Sequence, residues 1–300
     1  MSEEKTGAVA EQVPPPSDPP MPPTGGSGGA AGDGDPQRRR HSAGGMSFGD
    51  KVRLVLRGVG QTLITFGLII LLFVVYEVYV TNWFASAEQA KVHTALEQEW
   101  KQGKDPLLPL PDGALASLPL GTGIANIYIP RLGRDYAWTI VQGSTTPTDA
   151  QLEQGPAHYG NTALPGQVGN FAVAGHRVGK GEPFLNLDKL RVGDAVIIET
   201  KSEWYVYRVK GRDHNSLTAK DADGIAGREI VTPDNTTVTL PVPDHPGAKP
   251  TEALMTMTTC TPKFTADFRM IVFSVLSAKL PRTSNQKPPA IVALYAQAGS

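Results

Sequence analysis

The chain has 300 residues, 40% of them hydrophobic, with 28 Lys and Arg against 29 Asp and Glu, for a formal net charge of −1. Near-neutrality excludes the strongly basic footprint of a nucleic-acid binder. The single cysteine, Cys260, excludes an intramolecular disulfide and any cysteine-pair metal or redox site. A lone thiol is ordinarily a small buried hydrophobe, so only its neighbourhood can give it another meaning.

Residues 1–50 are dominated by Pro, Gly, Ala and Ser, with almost no large apolar side chain before Met46. Such a segment cannot bury enough surface to offset the entropy of ordering, and it is expected to be a disordered tail. The apolar stretch VGQTLITFGLIILLFVVYEVYV follows at residues 59–80. As a helix it is about 33 Å long, enough to cross a hydrocarbon core. Its one charge, Glu77, lies near the end, and Tyr76, Tyr79 and Trp83 cluster there as an interfacial belt would. Residues 59–82 are therefore expected to be a transmembrane anchor. Arg38, Arg39, Arg40, Lys51, Arg53 and Arg57 all precede it, which puts the N-terminus in the cytoplasm and the remainder outside. Ala85-Ser86-Ala87 resembles a signal-peptidase site, but the apolar core exceeds the usual 7–15 residues, which favours an uncleaved anchor.

Residues 85–120 read as a helical stalk to about Gln102, then a linker carrying Pro106, Pro109, Pro111 and Pro119. From residue 121 to the end the texture becomes that of an extracytoplasmic all-β domain. Short β-like runs are expected at 124–129, 136–141, 170–174, 195–199, 204–209, 253–259 and 270–276, with short helices at 150–154 and 184–190. This spacing suits a sandwich or barrel.

Within that domain, Thr256-Met257-Thr258-Thr259-Cys260-Thr261-Pro262 alternates like a strand, and Pro262 should end its ladder. The thiol thus sits at a strand terminus beside a loop rather than in mid-core. Arg269 opens the next apolar run. If the two runs pair as a hairpin, Arg269 lies near Cys260. A thiolate needs a positive neighbourhood, and a guanidinium can donate to an oxyanion. The plainer alternative is a surface arginine paired with Asp267 or Glu252. His176 follows FAVAG at another strand end, where an imidazole titrating near neutrality suits general acid–base work. His41 and His93 fall outside the expected domain, and His214 and His245 lie in polar loops. His158, in a turn beside Tyr159, could line a groove. No spacing suggests a metal site.

The combination of strand-end AGHR, strand-end TTC before Pro, and an Arg shortly after the Cys resembles the sortases. The segments ALPGQVGNFAVAGHR, EPFLNLDKL, WYVYRV and MTMTTCTPKFTADFRMIV look like class E sortases of high-GC Gram-positive bacteria. The resemblance covers about residues 124–280. It implies an eight-stranded β-barrel, preceded by the single membrane helix, that works as a cysteine transpeptidase without a cofactor. By that likeness Cys260 is the nucleophile, His176 the general acid/base and Arg269 the oxyanion stabiliser. Thr258, Thr259, Tyr159 and His158 would border the substrate. The implied partners are surface proteins with a C-terminal LAxTG- or LPxTG-like sorting signal, cleaved between Thr and Gly, and a lipid II-like amine of the cell-wall precursor. Rival readings are a degenerate membrane-tethered binding domain, a pilin-polymerising sortase, and an L,D-transpeptidase, although those usually place His and Gly before the Cys. Asp105-Pro106-Leu107 resembles a lid motif of pilus enzymes. Residues 220–251 match no recognised pattern.

Overall fold

The computed structural model describes residues 47–76, 81–107, 118–179, 181–212 and 216–283, with residues 81–84 described by backbone alone. The expected disordered tail up to residue 46 lies outside them, as do the end of the expected span, the Tyr79 and Trp83 side chains of its interfacial belt, His41 and His214. Helix α1 runs Phe48–Val75, about ten residues ahead of the expected start. At 1.5 Å per residue it is about 42 Å long. Its apolar side chains, among them Leu63, Ile64, Phe66, Leu71 and Phe73, are all exposed. A helix with no buried face and this composition fits a single-pass membrane anchor.

Helix α2, Thr81–Lys101, is followed by strands β1 Gly123–Tyr128, β2 Ala137–Gln142, β3 Ala157–His158, β4 Gly169–Ala174, β5 Ala195–Glu199, β6 Glu203–Val209, β7 Arg228–Val231, β8 Ala253–Thr261 and β9 Phe268–Pro281, with helix α3 at Asp149–Leu152. The order is β6-β5-β1-β2-β3-β4-β8-β9, and β9 pairs back onto β6. Eight strands thus form a closed barrel, as expected, which removes open edges. The ninth, β7, shares an edge of β9 with β6: Arg269 to Val272 face β7, and Ser274 to Pro281 face β6. Sequence reading missed β3 and β7, which have two and four residues. The helix expected at 184–190 is a 3-10 turn, Leu187–Lys189.

The barrel is filled by Ile127, Ile140, Phe171, Val173, Ile198, Tyr207, Met257 and their neighbours. Burying each such side chain contributes about 1.5–3 kcal/mol. Strands β1 and β4 are buried on both faces. The outer face of β1 lies under α2, and Asn170 on β4 donates to the carbonyls of Val238 and Leu240 from the covering 3-10 turn.

Helix α2 does not project as a stalk. Ala85, Leu96 and Trp100 are buried against the barrel. Gly123 of β1 lets the helix close in, since a Cβ there would stand 3.1 Å from Val92 and 3.2 Å from Leu96. Residues 85, 89, 92, 96 and 100 form one helical face. The Gln89 side chain pairs with the backbone N–H and C=O of Thr139 and reaches the carbonyl of Gln154. His93, expected outside the folded domain, instead hydrogen-bonds through Nδ1 with Asn126 Oδ1 at 3.3 Å and Thr139 Oγ1 at 3.1 Å. The docking face mixes Ala, Gln, Val, Leu and Trp, and Gln89 interrupts its apolar spacing, which weakens the signal in the sequence.

Candidate active site

Three strand ends build the site. Strands β4 and β8 run parallel with Ala174 opposite Thr258, so both chains reach the same rim together. Just past β4, the N–H of Gly175 donates to the Thr258 carbonyl at 3.0 Å, and Thr259 Oγ1 donates to the Gly175 carbonyl at 2.8 Å. Gly175 is thereby held on both sides. It must also be glycine, because a Cβ would lie 2.6 Å from the buried ring of Phe184. The Phe184 N–H returns to the His176 carbonyl at 3.0 Å, which fixes the turn that presents His176. Strands β8 and β9 pair antiparallel with Cys260 directly opposite Arg269. The hairpin expected from spacing is therefore present, and directly opposed residues have Cβ atoms about 4.5–5.5 Å apart.

His176, Cys260 and Arg269, all half-buried, share one groove of about 520 Å³ with Tyr159, Thr258 and Thr259. That volume is in the range of about 300–1,000 Å³ typical of ligand sites. Cys260 carries a free thiol. Arg269 Nη1 donates to the carbonyls of Ala266 at 2.9 Å and Phe268 at 3.1 Å. It is not engaged by Asp267 or Glu252; Glu252 lies beside Lys210 at 3.6 Å. A guanidinium has five N–H donors, so capacity remains for a ligand oxygen. The Tyr159 hydroxyl shares a hydrogen bond of 2.9 Å with Thr258 Oγ1. Burial holds that phenol above its ordinary pKa, so it stays a neutral hydroxyl on the groove wall.

His158 is not brought to the groove. It is 1% exposed, its ring centroid 5.3 Å from that of Phe171, with Nε2 3.1 Å from the Ala163 carbonyl and 3.0 Å from Thr162 Oγ1. Nδ1 lies 3.1 Å from Gln142 Oε1. Burial pushes its pKa down to about 4, which makes it a neutral packing residue at physiological pH. Tyr159, the first residue past β3, keeps its N–H on the Ala172 carbonyl at 2.9 Å, and alternation along this extended chain turns it to the groove when His158 is turned away. Thr259, 2% exposed, borders the groove mainly as the anchor of Gly175. The Asp105-Pro106-Leu107 tripeptide does not border the groove: Asp105 accepts from Ser202 Oγ at 3.4 Å and from the Leu107 N–H at 3.0 Å, beside the β5–β6 turn.

The sequence did not reveal the remaining walls. Thr145, Thr146 and Pro147 supply one side, and Pro233, Asn235, Thr236, Val238 and Thr239 another. The second group belongs to residues 220–251. Its only sequence signal was prolines among Thr and Asn, typical of any ordered loop.

The arrangement offers a nucleophilic sulfur, an imidazole that can move a proton, and a guanidinium that can meet developing negative charge. Comparison with known proteins identifies the family. The sortase domain family matches residues 127–277. Sortase SrtE1 of Streptomyces coelicolor is 34% identical over 242 residues, which are 79% of this chain and 61% of that protein. Sortase SrtE2 of the same organism is 29% identical, over 77% of this chain and 85% of that protein. The chain thus spans about three fifths of the length of SrtE1. Among solved structures, SrtF sortase from Corynebacterium diphtheriae superposes with a TM-score of 0.52 and 39% identity, over 59% of this chain and 95% of that one. With the family matched across the barrel from β1 to β9, the chain belongs to the sortase family.

Proposed function

We propose that the protein is a membrane-anchored cysteine transpeptidase in which Cys260, His176 and Arg269 form the catalytic set. The observation that carries this reading is the meeting of three strand ends: Cys260 lies opposite Arg269 across a hairpin, and the parallel pairing of β4 with β8 delivers His176 to the same groove. The substrate is a polypeptide with an LAxTG- or LPxTG-like signal. The Cys260 thiolate attacks the Thr carbonyl, Arg269 donates to the oxyanion, and the C–N bond to Gly breaks as His176 protonates the leaving amine. The resulting thioester is attacked by an amine of a cell-wall precursor, for which His176 now accepts the proton, and the thiolate departs. Exclusion of water from the groove favours transfer over hydrolysis. Basic residues ahead of the apolar helix and in its first turns support a cytoplasmic N-terminus and an extracytoplasmic barrel.

The test uses the full chain in detergent, an LAxTG-type peptide, an amine acceptor, and mass spectrometry. Wild type is expected to cleave between Thr and Gly, accumulate an acyl adduct on Cys260 and release the aminolysis product. Cys260→Ala should abolish adduct and product, and Arg269→Ala should lower kcat by about 10²–10³-fold, as loss of an oxyanion donor does. Adduct formation by Cys260→Ala would sink the proposal.

A further inference from the structure

Beyond Gly175 the β4–β8 ladder ends, yet the two catalytic residues proposed above both lie past that point, His176 on one chain and Cys260 on the other. Something other than strand pairing must hold them in register. Arg177 is in position to do so. Its backbone is contiguous with His176. Its Nη1 donates to Thr261 Oγ1 at 2.6 Å and, more weakly, to the carbonyl of Cys260 at 3.4 Å. Its Nη2 lies 3.1 Å from Asp188 Oδ1, so the guanidinium links the end of β8 to Asp188.

We propose that Arg177 is a positioning residue that locks the His176 turn to the Cys260 strand end, an inference that rests on the functional reading above. Stability does not account for the residue. Only 7% of its side chain is exposed, and its Nε has no partner among the described residues. Removing a guanidinium from water is costly unless its donors are well partnered. Its carboxylate partner among the described residues, Asp188, offers an oxygen that is itself buried and makes no hydrogen bond, so the pair meets without the hydrogen bonding that would offset desolvation of both charges. An apolar side chain would fill the space at lower cost. What an apolar side chain cannot do is keep an ion-pair contact with Asp188 while donating to the last two residues of β8. Lysine could not either, since a single ammonium lacks the planar fork.

The consequence is a geometric tolerance at the reaction centre. A displacement of about 1 Å between reacting groups can cost about 10²-fold in rate. Arg177→Lys keeps the charge and loses the fork. In the full chain in detergent, assayed with the same peptide and amine, it is expected to lower kcat by at least about tenfold while KM stays within about threefold, with an unchanged melting temperature. Millimolar guanidinium should restore part of the rate of Arg177→Ala and leave wild type unaffected. Should Arg177→Ala not fold, Asp188→Asn, which keeps Arg177 but removes its anchor, is expected to reduce kcat in the same sense. Wild-type kcat in Arg177→Lys, or a loss that merely tracks the folded fraction, overturns the proposal.

A second readout does not depend on turnover. The rate at which iodoacetamide alkylates Cys260 is measured for wild type, His176→Ala, Arg177→Lys and the double variant. His176→Ala should change that rate severalfold when Arg177 is present and by less than about twofold in the Arg177→Lys background. An equal factor in both backgrounds, or no effect of His176→Ala in either, refutes the lock. Failure of the transpeptidase reading shows elsewhere, as a wild-type chain that forms no acyl adduct while this alkylation coupling persists.

Discussion

His158 supplies a pH dependence that can be worked out from its surroundings. The ring is buried, and desolvation outweighs the hydrogen bonds to Ala163 and Thr162 that favour its charged form. Its pKa falls from 6.5 to about 4 on folding. Between those values the unfolded chain binds more protons than the folded one, so stability rises with pH across that window. The contribution is fully present above pH 6.5 and is lost as pH falls to about 4. At 1.36 kcal/mol per pH unit of difference, the loss is about 3 kcal/mol. His158→Gln removes the titration and leaves every other acid-sensitive group in place. At pH 7 the variant is expected to be less stable by about 1–3 kcal/mol, because Ala163 and Thr162 lose an imidazole partner and the Phe171 ring loses a neighbour. As pH is lowered to 4 the gap should close by about 3 kcal/mol, and the two curves should meet or cross. Urea unfolding of the full chain in detergent, followed by tryptophan fluorescence from pH 8 to 4, measures both curves. A gap that stays constant over that range would mean that His158 does not titrate as its burial requires, and the reasoning would fail.

Two further substitutions test how the site is held. Gly175→Ala places a methyl group 2.6 Å from Phe184 Cδ2, so the His176 turn or the ring must shift; kcat should fall by at least about tenfold and the melting temperature by several degrees, and a fully active, unshifted variant would refute the close-approach argument. Gln89→Ala strands the backbone N–H and C=O of Thr139, at a cost of about 1–3 kcal/mol. Amide exchange across α2 should accelerate by about tenfold or more, with cleavage of a soluble peptide changed by less than about twofold; unaltered exchange would show that Gln89 does not dock the helix.

The local pattern of the sequence was sufficient for the apolar helix, for seven of the strands within a few residues, and for the strand-end character of Cys260 and His176. Each of these rests on short-range physics: unbroken apolar length, alternation, and the inability of Pro262 to continue a ladder. The tertiary structure decided what depends on partners distant in the chain. Tyr159 and His158 are neighbours in sequence, yet only the side of β3 that faces the barrel wall determines that one borders the groove and the other packs on Phe171. Helix α2 reads as a polar stalk because its widely spaced buried residues, Ala85, Leu96 and Trp100, are joined in docking by Gln89 bonding backbone groups of β2, an interaction with no hydrophobic signature. The groove walls at Thr145 to Pro147 and Pro233 to Thr239 are ordinary loops until the barrel closes and brings them over the same strand ends. Composition and period fix which residues enter strands and which face inward. Which strand ends coincide is set by ladder register over separations of more than eighty residues, and no local pattern encodes that.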